Sequence, residues 1–102
     1  MILNGFDTDV NFWKLNPQLK VPLEFADILK QDKSKNKSKS SQIMWAIALL
    51  VDPDSKFSNI SYNTRKYMIA KDYLKDESFD WLKYKDAMHF YETSLITPAK
   101  RQ

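Results

Sequence analysis

The chain has no cysteine, one glycine and one histidine among its 102 residues. Without cysteine there are no disulfides and no thiolate metal sites, which fits a reducing compartment. The single histidine, His89, removes metal sites built on histidine pairs, and no metal is expected. Gly5 as the lone glycine argues against several β-hairpins, whose tight turns draw on glycine. Prolines stand only at 17, 22, 53 and 98, so residues 61–95 contain neither glycine nor proline and have room for long helices. No apolar run approaches the roughly 20 residues that cross a bilayer, so no membrane association is expected. Met1-Ile2-Leu3 runs into Asn4-Gly5 with no basic start and no apolar core, so no secretory leader is expected. The sequon Asn59-Ile60-Ser61 then reads as a turn. Glycine-rich phosphate loops, nucleophile motifs and spaced carboxylate pairs are also missing, so neither a cofactor nor an enzymatic activity is expected.

What is present is one wholly apolar segment, Ile43 to Val51. A helix of these nine residues is greasy on every face and must be enclosed by the fold or by a partner. Aromatics are abundant (Phe 6, Tyr 5, Trp 3), more than a disordered chain carries. The net charge of +3 is mild, and its placement matters more than its sum. Lys30, Lys33, Lys35, Lys37 and Lys39 face one acid, Asp32, within ten residues. The rest of the chain is close to neutral.

The patterning predicts an all-α domain of about four helices with an extended N-terminal arm. Residues 1–21 show no helical period, and Pro17 and Pro22 favour extended geometry just before them, so this stretch reads as an arm. Residues 22–96 form the helical domain, with a lysine-rich loop at 30–40, and residues 97–102 form a basic tail. The first helix starts at Pro22 with Leu23, Phe25, Ala26, Ile28 and Leu29 on its apolar face. The second is capped by Ser40 or Ser41, runs to Val51 and is stopped by Asp52-Pro53-Asp54-Ser55. A third, capped by Ser61 or Asn63, runs to about Leu74 and buries Tyr62, Tyr67, Met68, Ile69, Ala70, Tyr73 and Leu74, leaving Arg65 and Lys66 to water. The fourth, from about Phe79 to Leu95, carries Trp81, Tyr84, Met88, Tyr91 and Leu95 at three- and four-residue steps.

Four features bear on chemistry, each with a plain structural reading beside it. Lys33, Lys35, Lys37 and Lys39 alternate with small polar residues, compatible with phosphates or an acidic surface, or with a solvated loop. Without arginine or aromatics there, any nucleic-acid contact would be independent of base sequence. Asp52-Pro53-Asp54-Ser55 begins like a calcium loop, but Phe57 and Asn63 stand where glycine and glutamate are needed, so a helix-stopping turn is expected. His89 could act as a general base near Asp86 or Glu92, but lacks partner motifs and reads as structural. Phe6, Phe12, Trp13 and Leu15 require a groove in this subunit or a neighbour, and are the candidate partner-binding residues.

Phe12-Trp13-Lys14-Leu15-Asn16-Pro17-Gln18-Leu19 and Met44-Trp45-Ala46-Ile47-Ala48-Leu49-Leu50-Val51-Asp52-Pro53 together resemble small virion structural proteins of large tailed bacteriophages, the crAss-like group and related phages of Bacteroidetes. That resemblance implies a non-enzymatic component of the capsid, portal vertex or head–tail connector. Such a protein is made in the host cytoplasm, held in the virion and bound to other virion proteins in many symmetric copies. On this reading the arm docks on a neighbouring subunit, and the lysine loop rests on an acidic protein or contacts DNA non-specifically. The alternative is a small phage-encoded nucleic-acid-binding or regulatory protein that uses the lysine loop.

Overall fold

The computed structural model describes residues 8–95. A short helix α1 (Phe12–Leu15) and a 3₁₀ turn (Pro17–Lys20) lead into α2 (Leu23–Gln31). A 3₁₀ turn (Lys35–Lys37) opens α3 (Ser38–Val51). After a run of turns comes α4 (Tyr62–Met68), which continues as a π-helical turn (Ile69–Tyr73). The last body is α5 (Lys85–Phe90), preceded by a 3₁₀ turn (Trp81–Tyr84) and followed by a π-helical turn (Tyr91–Leu95). Helix accounts for 69% of the described residues and none of them lies in a strand, so the class is all-α.

The apolar run becomes the inner part of α3, and the other elements close around it. Met44 through Leu50 are each at most 3% exposed. One core cluster gathers Phe12, Trp13, Phe25, Trp45 and Tyr91; the other gathers Ala46, Leu49, Leu50, Ile69 and Trp81. α3 separates the two and contributes to both, which is why it can afford no polar face. It ends at Asp52, whose extended backbone (ψ 125°) takes the chain into Pro53. Asp52 Oδ1 accepts the Asp54 N–H at 2.9 Å, and the Ser55 hydroxyl donates to the Leu49 carbonyl at 2.7 Å. The acidic tetrapeptide is thus a helix-stopping turn.

The arm departs from expectation where it is described. Residues 11–20 are not extended; they form α1 and a 3₁₀ turn packed on the chain's own body. Asn11 caps α1, its side-chain oxygen accepting the Trp13 and Lys14 N–H groups at 2.9 and 3.3 Å. Phe12 and Trp13 are 0% and 2% exposed. Phe12 packs edge-on to Trp13 and to Trp45, with ring centroids 5.4 and 5.1 Å apart. The polar edges are matched as well. The Phe12 N–H donates to the Ser41 hydroxyl and the Trp13 indole to the Ser40 hydroxyl, each at 2.8 Å. The Trp45 indole donates to the Val10 carbonyl at 2.9 Å. The groove these rings require is therefore in their own subunit, and Leu15 is half-buried against the same cluster. Phe6 and the tail 97–102 lie outside the described residues.

Two further boundaries differ. Ser40 and Ser41 do not cap α3, which starts earlier at Ser38; both lie inside it and serve the arm. The region 79–95 is a chain of three helical types rather than one α-helix, and Phe79 precedes it. Its inward stripe holds at four positions, with Trp81 and Tyr91 buried and Tyr84 and Met88 packed against the clusters; the side chain of Leu95 lies outside the described ones. In α4 the inward face is shifted. Ile69 and Ala70 are buried, but Tyr62 and Tyr67 are 41% and 53% exposed. The π-helical turn breaks the 3.6-residue period between the two halves, so they do not share one face. Leu23, predicted inside, is also exposed, at 76%.

Candidate functional site

The lysine tract is a built turn, organised by the acid in its midst. Asp32 Oδ1 accepts the Ser34 N–H at 2.8 Å and the Ser34 hydroxyl at 2.5 Å, while Oδ2 accepts the Ser40 N–H at 2.6 Å. The Lys37 ammonium donates to the Asp32 carbonyl at 2.5 Å, and the Ser34 hydroxyl accepts the Lys39 N–H at 3.1 Å. Asp32 and Ser34 thus satisfy first-turn N–H groups of α3 from a distance, the service that a local cap residue normally gives. A carboxylate beside a helix N-terminus is also favoured by the helix dipole. Burial alone would raise the Asp32 carboxyl, but the hydrogen bonds from Ser34 and Ser40 outweigh it and hold the group well below its ordinary value.

This arrangement has a pH signature. The folded-state value is depressed, so Asp32 contributes stability above its unfolded value of 3.8 and loses it as pH falls below that. Asp32→Asn is expected to lower thermal stability at pH 7 and to approach the wild type as pH falls below about 4. Thermal melts of both proteins across pH 2.5–7 check this. A gap that is constant over the whole range rules out the carboxylate's role.

The turn holds two non-glycine residues in the left-handed region, Asn36 (φ 58°, ψ 18°) and Lys37 (φ 56°, ψ 37°). Asparagine tolerates this geometry, but lysine there is disfavoured by about 1 kcal/mol. The Asn11 amide donates to the Asn36 carbonyl at 2.8 Å, tying the first helical turn to the lysine turn. Lys33, Lys35, Lys37 and Lys39 are all exposed. The ammonium of Lys37 is held by the Asp32 carbonyl and keeps its charge, while Lys33, Lys35 and Lys39 stand exposed around it.

Beside this turn a groove of about 770 Å³ lies between α2, the start of α3 and residues 74–84. Asp32, Asp76 and Asp80 alternate with Lys33, Lys39 and Lys83 along it, so it presents no field of one sign. Phe79 and Tyr84, stacked at 5.5 Å, line part of its wall. A smaller groove of about 330 Å³ continues between α2 and α5 past Leu23, Asp27 and Ala87. His89 is exposed and lines neither. Among the described residues no three His, Asp or Glu side chains gather as a metal site, and no helix is long and apolar enough to cross a membrane.

The structure therefore splits the sequence-derived candidates. The lysines come together on one exposed turn, whereas Phe12 and Trp13 are withdrawn into the core and offer a neighbour nothing. Comparison with known proteins gave no match to a family model, a curated protein or a solved structure. Two features escaped sequence reading. Asp32 as organiser acts across eight residues, beyond the reach of local capping patterns. Arg65, expected in water, donates from Nε to the Ile60 carbonyl at 2.9 Å and from a terminal guanidinium nitrogen to the Leu50 carbonyl at 2.7 Å, closing the C-terminal end of α3.

Proposed function

We propose that this chain is a non-enzymatic assembly protein, a bacteriophage virion component of the capsid, portal vertex or head–tail connector. Its contact surface is the lysine turn, resting on an acidic protein neighbour or on packaged DNA. The observation that carries this reading is the left-handed pair Asn36–Lys37, strained at the lysine and locked by Asp32, with Lys33, Lys35 and Lys39 exposed around it. A solvated loop would relax such geometry; strain that persists points to a shaped surface. Phe12 and Trp13 have no part in docking on this reading, because their rings are spent in the core.

A second reading, a small phage-encoded nucleic-acid-binding or regulatory protein, uses the same turn and differs in its partner. The combined variant Lys33→Gln, Lys35→Gln, Lys39→Gln tests both. All three positions are exposed, so stability should change by no more than about 0.5 kcal/mol. Binding to duplex DNA should weaken, with the slope of log affinity against log salt smaller by about 3. Binding to a polyglutamate chain instead, with feeble DNA binding, would favour the acidic-protein partner. Wild-type protein that binds neither, or a variant with an unchanged salt slope, overturns the role of the turn.

A further inference from the structure

We infer that the surface formed by α4 and the turn before it is a second, independent contact, and that its ligand is single-stranded nucleic acid. From Ser55 to Lys71 the chain carries four basic residues (Lys56, Arg65, Lys66, Lys71) and no acid. The same stretch exposes two of the chain's five tyrosines, Tyr62 at 41% and Tyr67 at 53%.

The cations lie close to these rings. The Lys66 ammonium is 5.3 Å and the Arg65 guanidinium 5.8 Å from the centroid of Tyr62, and the Lys71 ammonium is 5.6 Å from that of Tyr67. Lys56 stands likewise at 5.3 Å from Phe57. At about 100° per residue, Tyr62, Asn63, Lys66 and Tyr67 fall within about 140° of one arc of α4. Each ring carries a cation over one of its faces, which places together the two elements that single-strand sites use, an aromatic face for a base and a positive charge for a phosphate. Duplex DNA keeps its base faces stacked inside and would leave the tyrosines idle; an acidic peptide would use the lysines but not the rings. Tyr67 is the more exposed of the two rings and carries more of the proposed stacking.

This surface is separate from the lysine turn. The lysine turn opens the N-terminal end of α3, whereas Arg65 is bonded to Leu50 at the other end. Fourteen helical residues separate the two ends by about 20 Å. The contact is therefore independent of the assembly reading.

The test titrates the full chain into a labelled oligothymidine of about 12 nucleotides, within the range of single-strand site sizes. Tyr67→Ala should weaken binding about tenfold, while Tyr67→Phe, which keeps the ring, should bind as wild type. Lys66→Gln with Lys71→Gln should weaken binding and flatten its salt dependence. The lysine-turn triple variant should retain most of the affinity. Circular dichroism establishes that each variant is folded; if Tyr67→Ala loses helix, the lysine double variant and the Tyr67→Phe control decide. Absence of binding, wild-type affinity in folded Tyr67→Ala, or equal competition by a duplex of the same length would each overturn the proposal.

Discussion

A chain lacking residues 1–20 is expected to lose its cooperative fold. The truncation removes Phe12, Trp13 and Leu19, all buried, and uncovers Met44 and Trp45 on α3. Removing a buried Phe or Trp side chain costs about 3–5 kcal/mol each, and a small domain has only about 5–15 kcal/mol in total. Trp45 would also lose the Val10 carbonyl as acceptor, and Ser40 and Ser41 would lose the donors that their hydroxyls accept. The truncated chain should show reduced helical signal, no sharp thermal transition and a tendency to associate through exposed α3. Had the segment been a free docking arm, the remainder would melt like the full chain and remain monodisperse. Calorimetry and light scattering on the two proteins distinguish these outcomes. The single change Trp13→Ala should go part of the way, losing about 3–5 kcal/mol.

The second large effect is expected at Tyr91. Its hydroxyl donates to Asp52 Oδ2 at 2.5 Å, and both residues are 0% exposed. A hydrogen bond to a buried charge contributes about 1.5–3 kcal/mol. Tyr91→Phe keeps the ring in the core but takes a donor from the buried carboxylate, and should destabilise by about that amount. For a domain of this size the melting temperature should fall by roughly 4–8 °C for each kcal/mol.

The same pair sets an alkaline limit. Burial first, then the hydrogen bond and the charge of Asp52, push the Tyr91 hydroxyl well above its ordinary 10.0. The folded state therefore holds this proton more tightly than the unfolded state. Its contribution is complete below pH 10 and declines as pH rises above it. Tyr73, pushed up to about 12 by burial and then by the charge of Asp9, acts in the same direction. The stability gap between wild type and Tyr91→Phe should narrow between pH 9 and 11. A gap that widens over that range contradicts the assignment.

The parts of the fold legible in the sequence were those that local period alone determines. The unbroken Ile43–Val51 run announced a fully enclosed helix, and the Trp81, Tyr84, Met88, Tyr91 spacing announced an inward stripe. Elsewhere the decisive partners are distant in sequence. Phe12 and Trp13 plainly required a groove, but composition does not say whose; the answer lies in Ser40 and Ser41, nearly thirty residues away, whose hydroxyls look like ordinary helix caps. In α4 the expected inward face fails because the π-helical turn winds less per residue and shifts the phase, and Tyr62 and Tyr67 stay outside. The candidate site divides in the same way. Its lysines were legible as a run of charge, whereas the acid that shapes them was hidden as the lone opposite sign among five.

An α-helix apolar all round also constrains how this gene can change. Each inserted or deleted residue within Ser38–Val51 would swing everything beyond it by about 100°. One of the two clusters would then face the wrong neighbours, whichever end was held fixed. Length variation among descendants of this chain should therefore fall outside Ser38–Val51, in turns such as 56–59, while the bar keeps its count.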